Sequence, residues 1–373
     1  MLPLIKPALR RCWRDRRTVQ YGVAPSHAVL LEPVQDATAA FLDLLDGTRS
    51  VPRLREEAHR LGLPAAAADG LLERLAAAGV LDDAGPHREV AGLSADRLRA
   101  DLASLSAVHR EPGGAPRRLA ARRTARVRVQ GAGRVGAAVA VLLSAAGVGQ
   151  VDVVDRGRVE PWEALPGGIP AGECGERRED AARRAVAGAR PWSRRPAASA
   201  LRDRDGTGLV VLAPRDPLQA WAPDPSAAEQ LLRTGTPHLY TGVLESTGFV
   251  GPLVLPGASP CAECLLRSRA DAEPSWALMA AQWRTPARRG NGVGACDAAL
   301  ATAVAGITAC HVLSFLDGDG SPGAGSRTCL ALPHLLTEHE TFAPHRDCPC
   351  GAAGDASGTP PSARVPAQDT MTV

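Results

Sequence analysis

Aromatic residues are scarce in this chain: four Phe, six Trp and two Tyr among 373 residues. No excess of one charge is present either, since 43 Lys and Arg stand against 40 Asp and Glu, a formal net charge of +3. So small a balance gives no electrostatic ground for nucleic-acid binding. The opening residues, MLPLIKPALRRCWRDRR, hold no apolar run long enough for a signal peptide. No stretch reads as the roughly 18 apolar residues of a membrane span. No internal repeat is visible. A soluble, cytoplasmic protein is the expectation these absences leave. Nine cysteines in such a protein argue against a disulfide framework. Their odd number and clustered spacing point to a metal instead.

What is present is Ala, Arg, Gly and Pro, and enough length for two domains with a sizeable core. Residues 1–83 open with strand signals, TVQYGV and HAVLLEP. Helical patterns follow at Ala37–Leu45, Val51–Leu61 and Ala65–Ala78, then GVL. That order outlines a small winged-helix (α+β) module. Residues 84–125 read as a connector with one helix, Ser94–Ser106, and a Pro/Gly/Arg-rich link. From 126 to 350, the strand runs VRVQ, VDVV, LVVLAP and FVGPLVL alternate with helical ones, the pattern of an α/β domain with a mainly parallel sheet. Residues 351–373 are small, polar and Pro-rich, and read as a disordered tail.

The clearest motif is VRVQGAGRVGAAVAVLL, in which Gly131, Gly133 and Gly136 form G-x-G-x-x-G between a strand and a helix. The first glycine allows a tight turn, the second lets phosphate approach the backbone, and the third brings helix and sheet close. The helix from Arg134 to Ala146 would aim its amide end at an anion. Asp155, closing the second strand, stands where an acid accepts ribose hydroxyls. The bland alternative is a glycine turn that serves packing alone.

Cys261 and Cys264 form CAEC, and Cys348 and Cys350 form CPC. Two local thiolate pairs can close a tetrahedral structural zinc site; the alternative is four ordinary thiols. Cys296 opens an apolar helix, Ala298–Leu316. A helix N-terminus can activate a thiol, although free cysteines are more often simply packed. Cys12, Cys174, Cys310 and Cys329 have no partner by spacing and read as structural.

Turn, acid and cysteine pairs together resemble the ThiF/MoeB/HesA family, bacterial relatives of ubiquitin-activating enzymes, over roughly Val127–Cys350. The resemblance implies a Rossmann-like nucleotide-binding domain that uses ATP and Mg2+ to adenylate the carboxylate of a peptide or ubiquitin-like small protein. It assigns the phosphate cradle to Gly131, Gly133 and Gly136, and the ribose to Asp155. Asp216, at the end of VVLAPRD, resembles the family's magnesium-linked aspartate, and the four cysteines its structural Zn2+ ligands. The helix in GVGACDAALATAVAGITACHVLSFLDG resembles the one that supports a homodimer. Two departures stand out. An Asn-Leu-x-Arg segment is replaced by RGRVEPWEALPGGI, and the usual lysine is replaced by Arg178, with Arg134 as a second candidate to neutralise phosphate charge. Arg keeps the charge but not the compact ammonium.

The N-terminal stretches HAVLLEP, FLDLLDGTRSVPRL and LLERLAAAGVL resemble the winged-helix leader-peptide-recognition domain of ribosomal natural-product (RiPP) biosynthesis. Joined to a ThiF-like domain, they resemble the leader-peptide-binding partner of azoline-forming cyclodehydratases. This implies an extended precursor peptide adding to the small sheet beside the Val51–Leu61 or Ala65–Ala78 helix. It also implies a rival to adenylation: a catalytically degenerate scaffold presenting the precursor to a separate modifying enzyme.

Two further classes are weighed and set aside. A DNA-binding winged helix needs a basic face. Residues 1–83 carry eleven Lys/Arg and eleven Asp/Glu, although Arg10, Arg11, Arg14, Arg16 and Arg17 cluster. A nicotinamide-dependent dehydrogenase fits the turn and Asp155, but not the cysteine pairs, and His238 and His311 are isolated.

Overall fold

The computed structural model describes residues 1–88, 95–192, 208–285, 293–321, 323–353 and 369–372. The chain divides into two compact units. The first comprises Met1–Ala121, with Pro191, Trp192 and the strand at 369–372 joined to it. The second is drawn from residues 122–190 and 208–353.

In the first unit, β1 (Pro3–Ile5) pairs antiparallel with β5 (Leu81–Asp83). A second sheet runs β2 (Arg11–Trp13), β3 (Val19–Tyr21) and β4 (Val29–Glu32), all antiparallel. Three helices lie between β4 and β5 in sequence: α1 (Asp36–Asp43), α2 (Val51–Arg60) and α3 (Ala65–Ala77). Their apolar stripes meet the strands in one core, where Leu31, Phe41, Leu54, Leu71, Leu75 and Leu81 are buried. The stripes follow the helical period, as Leu54 and Ala58 do on α2 and Ala68, Leu71, Leu72 and Leu75 on α3.

The segment 84–125, expected to be a connector, is largely helical. It contains α4 (Arg99–Val108), entered through a 3-10 turn at Ala95–Leu98, and α5 (Gly114–Thr124). Leu98, Leu105, Ala115 and Leu119 bury together with Trp192, so the segment has a small core of its own. Four of the residues expected to be a disordered tail form β13 (Asp369–Thr372), which adds parallel to β4. Residues 354–368 and 373 of that tail lie outside the described residues.

The second unit is built on a seven-stranded sheet. Its parallel part runs β7 (Gln150–Val154), β6 (Arg126–Gln130), β8 (Leu209–Leu212) and β9 (His238–Leu244). Val127, Val129, Leu209, Val211 and Leu239 are completely buried, as expected for strands covered on both faces. Helices α6 (Arg134–Ala145), α7 (Arg178–Ala189) and α9 (Ala298–Asp317) supply the apolar partners Val139, Leu143, Ala181, Val186 and Val304.

Beyond β9 the sheet turns antiparallel, through β10 (Thr247–Val254), β11 (Ser326–Ala331) and β12 (Leu336–Thr341). The FVGPLVL run was expected in the alternating α/β part, yet β10 follows β9 directly by a hairpin. The turn residues Glu245 and Ser246 both take positive φ, 50° and 60°. Hairpin turns of this twist normally carry Asn or Gly, which is why the sequence hides this one.

One expectation about hydrophobic runs is corrected. The 20-residue α9 is long and apolar enough to cross a membrane. Its inward face, including Leu300, Val304, Thr308 and Val312, is buried in the second unit. Asp297 caps its start, accepting from the amides of Ala299 and Leu300 at 2.9 and 3.0 Å. Gly318, left-handed at φ 82°, ends it.

Candidate nucleotide site and cysteine cluster

The glycine turn follows β6. Gly131 has φ +102°, and its amide donates to the Val154 carbonyl at 2.9 Å. A Cβ there would lie 1.9 Å from the Ala213 carbonyl oxygen, and one at Gly136 would lie 2.1 Å from the oxygen of Gly131. Neither position accepts a side chain without moving backbone. Gly133 differs: a Cβ would meet nothing within 4 Å, and its φ of −70° with ψ −169° is open to any residue. It caps α6 with no side-chain hydrogen bond to the first amides. The unsatisfied N–H groups of a helix start, with the positive end of its dipole, suit an anion.

This turn borders a cavity of about 730 Å3, a size suited to a small-molecule ligand. Gly133, Arg134, Trp162, Arg215, Asp216 and Cys296 are on its wall. Arg134 is anchored at two points: its Nε donates to the Trp162 carbonyl at 2.5 Å and Nη1 to the Cys296 carbonyl at 2.6 Å. Asp216 follows β8 and accepts from the Leu218 amide at 3.2 Å. Cys296 is half-buried, and desolvation pushes its thiol pKa up despite the nearby Arg134 charge.

Arg178 and Asp155 are not among the lining residues. Arg178, expected at the phosphates, has a side chain only 1% exposed. Its Nη1 donates to Asp155 Oδ1 at 2.8 Å and to the Arg156 carbonyl at 2.7 Å. Nη2 donates to the Arg158 carbonyl at 2.6 Å, and Nε to Glu163 Oε2 at 3.0 Å. Burial opposes its charge, but the two carboxylates outweigh that and raise its pKa. The reason is topological. Arg178 begins α7, whose first turn faces the RGRVEPWE segment rather than the glycine turn. Asp155 is likewise committed, with Oδ2 accepting the Ala132 amide at 2.5 Å. It thereby fastens the glycine turn to the end of β7.

Sequence reasoning missed Glu163 and Arg215. Glu163 joins the buried Arg178 to the cavity wall: its Oε1 accepts from Arg215 Nε at 2.9 Å. Arg215 is half exposed, at 51%. Its only sequence signal is adjacency to Asp216. The chain has one lysine, Lys6, and it is buried in the first unit, donating to the His109 carbonyl. Positive charge at the cavity therefore comes from arginine alone.

The four cysteines singled out in the sequence do converge. Cys261 and Cys264 lie at the start of α8 (Ala262–Ala272). All four sulfurs lie within 4.8 Å of one another, with Sγ···Sγ separations of 3.6 Å for Cys261–Cys348, 3.6 Å for Cys264–Cys350 and 3.9 Å for Cys261–Cys264. A tetrahedral zinc with Zn–S bonds of about 2.3 Å requires sulfur edges of about 3.8 Å. The donor set fits that geometry. Hydrogen bonding from Cys261 holds the Cys264 thiol low, at about 4, and the same contact pushes Cys261 up.

Comparison with known proteins places these features in a family. Residues 114–351 match the ThiF family. No protein of curated function matches the chain by sequence. Among solved structures, Escherichia coli MccB with AMPCPP and MccA superposes with a TM-score of 0.70 at 14% identity, covering 94% of this chain and all of that one. The microcin C7 biosynthetic enzyme MccB in complex with N-formylated MccA gives 0.68 at 14%, covering 94% and 99%. The heterocyclase TruD gives 0.60 at 16%, covering 94% of this chain but 43% of TruD.

Proposed function

The chain belongs to the ThiF family, and from that premise we propose that it binds Mg·ATP at the glycine turn and adenylates the carboxylate of a peptide. The observation that carries this reading is the open cradle: an unobstructed Gly133 and an uncapped α6 start facing a cavity walled by two arginines and an aspartate. In the proposed reaction a carboxylate oxygen attacks the α-phosphorus, the bond to the bridging oxygen breaks, and pyrophosphate leaves. The α6 amides and Gly133 hold phosphate. Arg134 and Arg215 offset the charge on the phosphoryl oxygens. Asp216 would hold magnesium, which supplies further charge neutralisation when bound. Asp155 can serve the ribose only by sharing its carboxylate with Ala132 and Arg178. Calorimetric titration with Mg·ATP tests this reading. Saturable binding at one site per chain is expected, and none by a folded protein would remove it.

The rival reading has its own observation. Asp155 and Arg178 are bonded to each other and away from the cavity wall, and no lysine is available in the second unit. A folded chain that ignores Mg·ATP would be a scaffold presenting a peptide to a separate enzyme. Under either reading the first unit acts as a winged-helix peptide-recognition module, consistent with the MccB structures that hold MccA. The apolar outer side of α9, at Ala299, Ala303 and Cys310, is assigned to a second copy in a homodimer. Light scattering reading a monomer would overturn that.

The cysteine cluster is assigned to structural zinc, which supplies a fixed link between α8 and the 345–350 segment. Elemental analysis is expected to find one zinc per chain. Chelation, or Cys264→Ser, should release it and lower the melting temperature by roughly 10 °C, since the metal's binding energy is folding energy. A metal-free protein of unchanged stability would remove the assignment. Thiol clusters persist in reducing compartments, so we place the protein in the cytoplasm.

A further inference from the structure

The first unit's main sheet ends on a strand from far along the sequence. β13 lies against β4 in parallel, with Asp369 opposite Val29, Thr370 opposite Leu30, Met371 opposite Leu31 and Thr372 opposite Glu32. β3 takes the other side of β4, so β13 occupies what would otherwise be the sheet's edge. An uncovered edge is a row of unpaired N–H and C=O groups, a template for any extended chain. On β4 that row belongs to a Val-Leu-Leu run, which makes covering it more pressing.

The covering strand is poorly suited to bind tightly. It is four residues long and parallel, the weaker pairing per residue. Three of its four residues, Asp369, Thr370 and Thr372, are polar and have little apolar area to bury. What joins it to β4 in the structure is the backbone ladder. A ladder of that kind is sequence-tolerant, and an extended peptide with apolar residues at alternate positions can copy it and add side-chain burial.

We propose that the β4 edge is the strand-acceptor site of the first unit, and that Asp369–Thr372 is its built-in competitor, which an incoming peptide strand must displace. This rests on the reading of that unit as a peptide-recognition module. It adds to it a gate in the same chain, at the edge where strand addition is expected. A tethered segment acts at an effective concentration of order millimolar, so displacing it weakens apparent peptide affinity by about tenfold when the segment's own untethered dissociation constant is about 100 µM.

The test uses a fluorescent synthetic peptide, Pro366–Val373 of this sequence, followed by anisotropy. The full chain is compared with a chain ending at Gln368. The shortened chain should bind the peptide saturably, and the full chain at least about tenfold more weakly. Amides of Val29–Glu32 should exchange faster in the shortened chain and slow again when peptide is added. A full-length T370P/M371P variant, in which the ladder loses donors whichever residue supplies them, should behave like the shortened chain. It serves if shortening impairs folding. Equal peptide affinity in all three proteins, or β4 amides that exchange alike in all, would overturn the proposal. No arm uses nucleotide, so these results stand apart from the Mg·ATP titration. Failure here would leave the adenylation reading untouched.

Discussion

Replacing Gly133 with glutamate is expected to weaken Mg·ATP binding about a hundredfold while leaving the melting temperature within about 2 °C of the parent. The backbone at Gly133 already has dihedrals any residue adopts, and its Cβ would enter open space. The fold therefore loses nothing. The carboxylate would project at the start of α6, satisfy amides that phosphate needs, and repel the anion at close range. A hundredfold loss of affinity, about 2.7 kcal/mol, is the expected scale. The neighbouring glycines should behave in the opposite way. Gly131→Ala would place a methyl 1.9 Å from the Ala213 carbonyl at φ +102°, and Gly136→Ala would strike Gly131 itself. Each should cost about 3 kcal/mol of stability before any question of ligand arises. Calorimetry beside thermal melts separates the classes. If Gly133→Glu binds Mg·ATP as the parent does, the turn serves packing and the scaffold reading gains.

Arg178→Met should lower the stability of the second unit by about 3–5 kcal/mol, because it leaves the buried Asp155 with the Ala132 amide but no counter-charge, and leaves Glu163 to Arg215 and the Glu160 amide. Both carboxylates are nearly inaccessible, with side-chain exposures of 8% and 7%. For a unit of this size that corresponds to a fall in melting temperature of roughly 10 °C or more. Arg178→Lys should recover only part, since one ammonium cannot reproduce a fork reaching two carboxylates and two carbonyls. The nucleotide result is the informative half. Were Arg178 a phosphate ligand, Arg178→Lys would lose Mg·ATP affinity with its melting temperature intact. The geometry requires the reverse: stability falls, and affinity changes only as far as Asp155 loosens the turn. Arg215→Ala should show the contrasting pattern, weaker nucleotide binding at nearly constant stability, because its half-exposed side chain gives up a single ion pair.

The features the sequence carried by itself are those encoded over a few residues. The glycine turn is legible because its steric demands are local: a tight turn after β6 and a close helix–strand contact leave no room for Cβ at Gly131 and Gly136. The CAEC and CPC pairs are legible because chelate spacing is local too. The stripes of α2 and α3 follow a period of 3.6 residues and needed no tertiary knowledge. What only the tertiary structure decided depends on groups far apart in the chain. Arg178 turned inward because Asp155 and Glu163, 23 and 15 residues away, converge on it. Glu163 and Arg215, separated by 52 residues, meet across the cavity wall, and neither bears a motif. The antiparallel β10–β12 and the addition of β13 to β4 were hidden for the same reason. Strand pairing is a choice among backbones of similar local propensity, decided by which edge is open when the rest has packed. Short-range sterics and ligand spacing thus wrote the nucleotide turn and the thiol cluster into the sequence. The direction of each charged side chain, and the partner of each sheet edge, were set by burial, which acts only once the fold has formed.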